Sequence, residues 1–285
     1  MNAIKDSHTN LWFCFKNNNS NQVFDKIIQH GFPEIDLITW CVQFLNKHNS
    51  FIDIGAHIGS YSFYLSKFCK EVHSFECASK TQKWLWLGSE LNEITNMSIY
   101  NCALGAEEVE NANLYIKSSD GINSSLILES KETESITVEK VTIKTLDNFK
   151  FHNVGLIKID VNGWELEVIQ GSIKTLEKHN YPPILFQVSN NAELIEKKNL
   201  LFNFISSLSY CLCPINNTND MYLASSHPKY RPTTEKKNRR KTENIDKQSE
   251  EKKLNQEISE KKPREKKSKT NKKTESVKIS LQDII

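Results

Sequence analysis

The chain has 285 residues with 37 basic and 35 acidic side chains, so its net charge is close to zero. The charges are unevenly distributed: residues 231–285 contain 18 Lys/Arg and 10 Asp/Glu, which leaves 19 and 25 for residues 1–230. No apolar run reaches the roughly 20 residues that cross a bilayer, and the N-terminus has no signal-peptide core. We therefore expect a cytoplasmic protein without a membrane span, whose seven cysteines are reduced thiols.

The first half of the chain alternates between apolar strands and amphipathic helices. A helix is predicted over residues 34–46, where apolar side chains recur at helical spacing. Strands are then predicted at 50–54, 71–75 and 97–102, and helices at 60–68 and 80–93. Short apolar strands that alternate with helices are typical of a parallel sheet covered on both faces.

The second half interrupts this alternation and then resumes it. Two β segments, 113–117 and 136–144, flank a polar stretch, and we interpret them as an inserted hairpin or flap. Further strands are predicted at 155–161 and 184–188, helices at 164–178 and 192–207, and a closing antiparallel pair at 210–212 and 221–223. The sequence thus predicts one Rossmann-like α/β domain over residues 34–227, preceded by a lead-in segment at 1–33.

Residues 228–285 differ in composition, with recurring Glu-Lys-Lys triplets and few large apolar side chains. Such a segment buries too little apolar surface to offset its chain entropy, so we predict a solvated, disordered tail. The alternative is a salt-dependent contact between the tail lysines and phosphate groups of nucleic acid or of another anionic surface. Equal nucleic-acid binding by the full chain and by a truncation to residues 1–230 would exclude that alternative.

The most informative motif is FIDIGAHIG at residues 51–59, in which an apolar strand is followed by two glycines and a helix. Gly55 lets the chain turn and lets a ligand approach closely, while backbone amides near Gly59 favour an anionic group. Asp53 is expected to meet an ammonium group. An amino-acid ligand carries both charges, as does the methionyl half of S-adenosylmethionine. The predicted cofactor-binding residues of this motif are Asp53, Gly55, Ala56, His57 and Gly59.

The next two strand ends extend this predicted site. Glu76 lies 21 residues beyond Gly55, close to the usual distance for an acid that accepts hydrogen bonds from ribose hydroxyls. The third strand runs into Asn101, Cys102 and Ala103, where we expect an adenine ring, with Asn101 or a backbone group at its edge. The alternative is a tight β–α turn in a protein that binds no nucleoside. The three-glycine dinucleotide signature and the phosphate-loop signature are both missing, which disfavours those sites.

A second motif, LIKIDVNGWE at residues 156–165, also places an acid at the end of an apolar strand. In a doubly wound sheet this strand lies beside the first one, and ligands bind in the crevice between them. We therefore expect Asp160 to face Asp53 and Gly55 across the crevice and to contact the cofactor. The alternative interpretation is an Asp that caps a helix or stabilises a turn.

Together these segments resemble the FkbM-type methyltransferases. The segments that carry the resemblance are FIDIGAHIGSYS (51–62), VHSFECASK (72–80), NCALG (101–105), NSSL (123–126), TLDNF (145–149), LIKIDVNGWELEVIQG (156–171) and PPILFQV (182–188). The resemblance implies a class I methyltransferase fold, with a mostly parallel seven-stranded sheet and helices on both faces. It also implies bound S-adenosylmethionine and methylation of a hydroxyl on a sugar, glycan or small metabolite.

Carried over by this resemblance, Glu76 is the ribose acid and Asp160 is the active-site acid. The chain departs from the family pattern at three positions: His57 replaces a usual Asn, Asn162 replaces a usual Glu, and Gln187 lies near a common Glu. Two alternatives therefore stay open, a catalytically silent methyltransferase-like binding module and a nucleic-acid-associated methyltransferase that uses the tail. No metal site is predicted.

A hydroxyl acceptor needs a general base to take its proton during methyl transfer. Asp160 is the first candidate for this catalytic role. His57 is the second candidate, because imidazole titrates near neutral pH. The alternative for His57 is contact with the cofactor or with the start of the following helix.

Overall fold

The structure is a computed structural model that describes residues 2–15, 34–117, 124–127, 136–188, 195–216, 218 and 220–226. The predicted tail at 228–285 lies outside these ranges. The strands are β1 (Asn2–Lys5), β2 (Trp12–Phe15), β3 (Ser50–Ile54), β4 (Glu71–Phe75), β5 (Met97–Tyr100), β6 (Ala103–Leu104), β7 (Val109–Ile116), β8 (Thr137–Lys144), β9 (Val154–Ile159), β10 (Ile184–Gln187), β11 (Cys211–Pro214) and β12 (Met221–Ser225). The helices are α1 (Ile35–Cys41), α2 (Ser60–Leu65), α3 (Ser79–Leu91), α4 (Glu165–Gln170), α5 (Ile173–Lys178) and α6 (Ile195–Ser207).

Seven strands form the main sheet in the order β11-β12-β10-β9-β3-β4-β5. Strand β12 is antiparallel to β10 and β11, whereas β3, β4, β5, β9 and β10 pair in parallel. The chain winds outwards from β3 through β4 to β5 and later returns to β9 on the other side of β3. This reversal opens a crevice at the carboxyl ends of β3 and β9. The predicted mostly parallel, seven-stranded sheet is confirmed.

Helices cover both faces of this sheet. On β3, Phe51 is buried in one core with side chains from α1, α2 and α3. Ile52 and Ile54 are buried in the other core with side chains from α4, α5 and α6. Alternation of side chains along a strand produces these two cores, and each fully buried apolar side chain contributes about 1.5–3 kcal/mol. The strand ends therefore form a rigid support for the loops that follow them.

The predicted helix at 164–178 is wrong in one respect, because it is two helices, α4 and α5. A Cβ at Gly171 would overlap the carbonyl oxygen of Gly105, so the break lies where two backbones meet closely. Asp147 stabilises the restart of the helix, since its carboxylate accepts hydrogen bonds from the backbone N–H groups of Lys174 (3.1 Å) and Thr175 (2.7 Å).

The predicted insertion forms a second, three-stranded sheet in the order β6-β8-β7. Strands β7 and β8 are antiparallel, as expected for a hairpin. The predicted strand at 97–102 ends at Tyr100, and the chain then leaves the main sheet to pair β6 with β8. Ser125 forms a β-bridge with Tyr115, so the described part of the segment between the strands adds to this sheet.

The lead-in segment contains structure that the sequence analysis did not assign. Strands β1 and β2 form an antiparallel hairpin, and Phe13 is completely buried in the core with α3. The side chain of Asn92, at the end of α3, exchanges two 2.8 Å hydrogen bonds with the backbone of Trp12. Within the described ranges, none of the helices combines the length and apolar character that crossing a membrane requires.

Candidate functional site

A cleft of about 230 Å³ opens at the carboxyl edge of β3, β4 and β9. Its apolar lining includes Phe75, Leu104 and Leu114, and the inserted segment contributes residues 124–126. Among the predicted site residues, those that line the cleft are Gly55, Ala56, His57, Glu76, Cys102, Ala103 and Asp160. Asp53, Gly59 and Asn101 lie outside the lining. The structure thus brings most of the predicted cofactor-binding residues together.

The loop after β3 has an unusual backbone. Gly55, His57 and Gly59 all have positive φ, at 76°, 51° and 97°. Glycine adopts this conformation freely, whereas a residue such as His57 is held there at a cost of order 1–3 kcal/mol. The backbone N–H groups of Gly55 and Ala56 both donate to the carbonyl of Phe75 at 3.0 Å, which fixes the loop against the end of β4.

The carboxylate of Glu76 connects this loop to the loop after β4. It accepts one hydrogen bond from the backbone N–H of His57 (3.0 Å) and another from that of Ala78 (2.9 Å). Burial raises the pKa of Glu76, and the neighbouring His57, both backbone donors and Lys158 act against that rise. A carboxylate has about four lone-pair sites, so two acceptor positions are left for a ligand's hydroxyl groups.

The sequence predicted that Asp53 faces the ligand, but Asp53 does not line the cleft. Its carboxylate is completely buried and accepts a 2.6 Å hydrogen bond from the hydroxyl of Ser62, which in turn lies 2.7 Å from the hydroxyl of Ser74. The ammonium of Lys158 lies 3.4 Å from the other carboxylate oxygen. A buried carboxylate requires a partner charge, and here Lys158 supplies it inside the protein. This corrects the prediction that Asp53 meets a ligand's ammonium.

Asp160 lies across the crevice from the glycine loop, as predicted. Its backbone N–H donates to the carbonyl of Ile54 at 3.0 Å, and a Cβ on Gly55 would overlap the carbonyl oxygen of Asp160. The side chain of Asp160 remains 36% exposed while its carboxylate lies 3.6 Å from the ammonium of Lys158. It is therefore accessible to a molecule that occupies the cleft.

Asn101 does not line the cleft, which corrects the expectation that it lies at an adenine edge. Its side-chain amide donates to the carbonyls of Glu76 (3.1 Å) and Cys77 (3.2 Å), so it stabilises the turn after β4. The chain leaves the main sheet directly after β5 and carries Cys102 and Ala103, rather than Asn101, to the cleft.

Asn162 connects the loop after β9 to the inserted segment. Its side-chain amide donates to the carbonyl of Ser124 at 2.9 Å, and its backbone carbonyl accepts a 2.9 Å hydrogen bond from the hydroxyl of Ser125. A Glu at this position has no N–H group in its side chain to donate to Ser124. The amide that departs from the family pattern thus has a structural role at the wall of the cleft.

Further residues that were not predicted from the sequence line the cleft, among them Glu34, Tyr61 and Lys158. Lys158 was detectable, because it is a single charge within an otherwise apolar strand. Glu34 and Tyr61 were not, because their 2.9 Å hydrogen bond joins the start of α1 to α2 and depends on the tertiary structure. Burial raises the pKa of the Tyr61 hydroxyl, and the nearby Glu34 carboxylate raises it further.

Glu165, at the start of α4, supports the loop that carries Asp160. One of its oxygens accepts a 3.0 Å hydrogen bond from the backbone N–H of Gly163, and the residue is only 5% exposed. Burial raises the pKa of Glu165 from 4.5 to about 7, and the Asp160 carboxylate adds to this rise. A group whose pKa is raised on folding contributes stability below its unfolded pKa, and this contribution is lost as the pH rises through the folded pKa.

We therefore expect Glu165→Gln to remove a pH-dependent loss of stability. The wild-type free energy of unfolding should fall between about pH 5 and about pH 8, and the variant should be more stable at the upper end by up to about 3 kcal/mol. Urea titrations across this range measure the difference, with Glu177→Gln on the exposed side of α5 as the control. If the free energies of unfolding of the wild type and of the Glu165→Gln variant change with pH in the same way, the pKa of Glu165 is not raised by folding.

Comparison with known proteins identifies the family. A profile described as the methyltransferase FkbM domain matches residues 53–210, more than half of the chain. The chain belongs to the FkbM methyltransferase family. The matched region begins at Asp53 and contains the glycine loop, Glu76 and Asp160, so the resemblance predicted from the sequence is confirmed.

Three proteins to which this FkbM chain is similar share a quarter or less of its residues over the matched regions. Methyltransferase 1 of Beauveria bassiana (strain ARSEF 2860) is 25% identical over 142 residues, which cover 42% of this chain and 57% of that protein. The chain thus spans little more than half of this curated relative. Among solved structures, the methyltransferase FkbM from Methylobacillus flagellatus KT has 16% identity and a TM-score of 0.43, over 64% of this chain and 43% of that one. The Pyrococcus abyssi tRNA (uracil-54, C5)-methyltransferase, solved with S-adenosyl-L-homocysteine, has 12% identity and a TM-score of 0.41, over 78% and 43%.

Proposed function

We propose that this FkbM-family chain is an S-adenosylmethionine-dependent methyltransferase that acts on a hydroxyl of a sugar, glycan or small metabolite. The observation that carries the proposal is the cleft itself. At one edge of the sheet it combines the Gly55 loop, the Glu76 carboxylate and the partly exposed Asp160 carboxylate. Family membership supports the methyl-transfer chemistry.

The residues in the cleft fit the predicted cofactor. Glu76 has two free acceptor positions, which suits a pair of ribose hydroxyls. Phe75, Ala103 and Leu104 also line the cleft and provide apolar surface, which suits a purine ring. Lys158 lies beside both aspartates, but Asp53 is buried whereas the Asp160 side chain is partly exposed, so Asp160 is the one of the two that is available to cofactor or acceptor.

In the proposed reaction, bound S-adenosylmethionine would be held by Glu76 and the Gly55 loop, would supply its methyl group to the acceptor hydroxyl and would leave as S-adenosylhomocysteine. Asp160 takes the proton that leaves the acceptor hydroxyl, and general-base catalysis of this kind contributes typically 10²–10⁴-fold. The cleft walls hold the acceptor in line, and orientation can contribute about 7–11 kcal/mol.

Replacement of Glu76 by Ala is expected to weaken cofactor binding by roughly 2–4 kcal/mol, because two charge-assisted hydrogen bonds to ribose are lost. Isothermal titration calorimetry with S-adenosylhomocysteine measures the change. The matched control is Glu71→Ala. Glu71 lies at the start of β4, whereas Glu76 directly follows its end, so this variant should bind as the wild type does. Equal affinities for the Glu76 variant and the wild type would show that the ribose binds elsewhere.

Transfer itself is tested with S-adenosylmethionine that carries a labelled methyl group. The chain is incubated with a panel of free sugars, glycans and hydroxylated metabolites, alongside amine and thiol acceptors. We expect label on hydroxyl acceptors only. Cofactor binding without transfer to any acceptor would instead support the catalytically silent module.

A further inference from the structure

Lys158 lines the cleft but takes no part in the proposed proton transfer. It comes from the interior strand β9, and its side chain is 5% exposed. Its ammonium donates a 2.9 Å hydrogen bond to the carbonyl of Gly55. It also lies 3.4 Å from the Asp53 carboxylate, 3.6 Å from that of Asp160 and 5.4 Å from the centre of the Tyr61 ring. The ammonium of Lys158 therefore contacts the buried Asp53, the glycine loop at Gly55 and the cleft residue Asp160.

Charge neutralisation alone does not account for this arrangement. Asp53 would be sufficient to neutralise a buried ammonium, and it lies behind the cleft lining. Lys158 itself lines the cleft and directs one of its three N–H donors to the carbonyl at the first turn of the cofactor loop. The Ala56 N–H of the same peptide donates to the carbonyl of Phe75 at 3.0 Å, so Lys158 holds the carbonyl side of a peptide whose N–H side is held by β4.

The electrostatic environment keeps Lys158 in its charged form. Burial alone would lower its pKa, but the carboxylates of Asp53, Asp160 and Glu34 more than compensate, so the pKa is raised above the ordinary lysine value. A protonated amine has no lone pair to accept a proton. Lys158 therefore acts as a permanent donor and cation rather than as a base.

We propose that Lys158 is a positioning residue of the cofactor site, which fixes the Gly55 carbonyl and holds the Asp160 carboxylate at the cleft wall. This inference rests on the proposed function, since it assigns Lys158 to the same cofactor cleft. It predicts that cofactor affinity depends on a cation at this position, separately from the contribution of the buried pair with Asp53 to stability.

The test must separate positioning from folding. Lys158→Met alone would leave Asp53 buried without its partner charge, so loss of binding could reflect unfolding. The double variant Lys158→Met/Asp53→Asn removes both charges together, which is often neutral for stability. Lys174→Met, the same change at an exposed lysine of α5, is the matched control. For each protein, urea unfolding and the Kd for S-adenosylhomocysteine are measured.

We expect the double variant to unfold cooperatively near the wild-type urea midpoint but to bind S-adenosylhomocysteine at least tenfold more weakly. Lys158→Arg, which keeps the cation, should bind more tightly than the double variant. Wild-type affinity in a folded double variant would overturn the inference. If this double variant does not fold, Lys158→Arg is compared with Lys158→Gln/Asp53→Asn, which also removes both charges, and equal affinities would overturn the inference. Failure of the wild type to bind would instead contradict the proposed function.

Discussion

Replacement of Asp160 by Asn is expected to lower the rate of methyl transfer at least about 100-fold, with little change in cofactor affinity. The side chain keeps its size, so the backbone contact to Ile54 should persist, but the amide cannot take the proton from an acceptor hydroxyl. Single-turnover transfer at saturating S-adenosylmethionine, with an acceptor identified from the panel, measures the rate.

His57 is the competing candidate for the same proton. His57→Asn is the informative comparison, because Asn tolerates the positive φ of 51° that this position requires. We expect His57→Asn to slow transfer less than Asp160→Asn does. Near-normal transfer by Asp160→Asn, together with a large loss in His57→Asn, would assign the base to His57.

Gly55→Ala is expected to destabilise the fold by about 2–5 kcal/mol and to abolish tight cofactor binding. The positive φ of 76° costs a residue with a Cβ about 1–2 kcal/mol, and overlap with the Asp160 carbonyl adds about 1–3 kcal/mol. Relief of the overlap must move either the glycine loop or the loop that carries Asp160. Urea unfolding and calorimetry with S-adenosylhomocysteine measure the two effects.

Gly171→Ala is a matched steric control for this prediction. A Cβ at Gly171 would overlap the carbonyl of Gly105, but Gly171 does not line the cleft. This variant should lose stability while its folded fraction keeps wild-type affinity. Tight binding by Gly55→Ala would mean that the glycine loop is not part of the cofactor site.

Much of the fold could be predicted from the sequence because the strands are short, apolar and separated by helices. Strands β3 and β4 have the predicted ends, and their boundaries fixed the positions of Gly55 and Glu76. The position of Glu76 at the cleft follows from parallel pairing, which places neighbouring carboxyl ends at one edge. The glycines were informative because few other residues adopt their backbone conformation.

The wrong predictions of site residues concern side chains whose hydrogen-bond or charge partners are distant in sequence. Asp53 has the expected position on β3, yet its contact with Lys158 on β9 is a tertiary pairing across two adjacent strands. Asn101 was placed in the site because the exit of the chain into a second sheet after Tyr100 leaves no local signal. The role of Asn162 likewise depends on its contacts with Ser124 and Ser125.

A crystal structure of the full chain grown with S-adenosylhomocysteine shows where the cofactor binds. We expect the ligand in the cleft between the Gly55 loop and β9, with both ribose hydroxyls donating to the carboxylate of Glu76. A ligand bound elsewhere, or bound in this cleft with its ribose away from Glu76, would contradict this expectation.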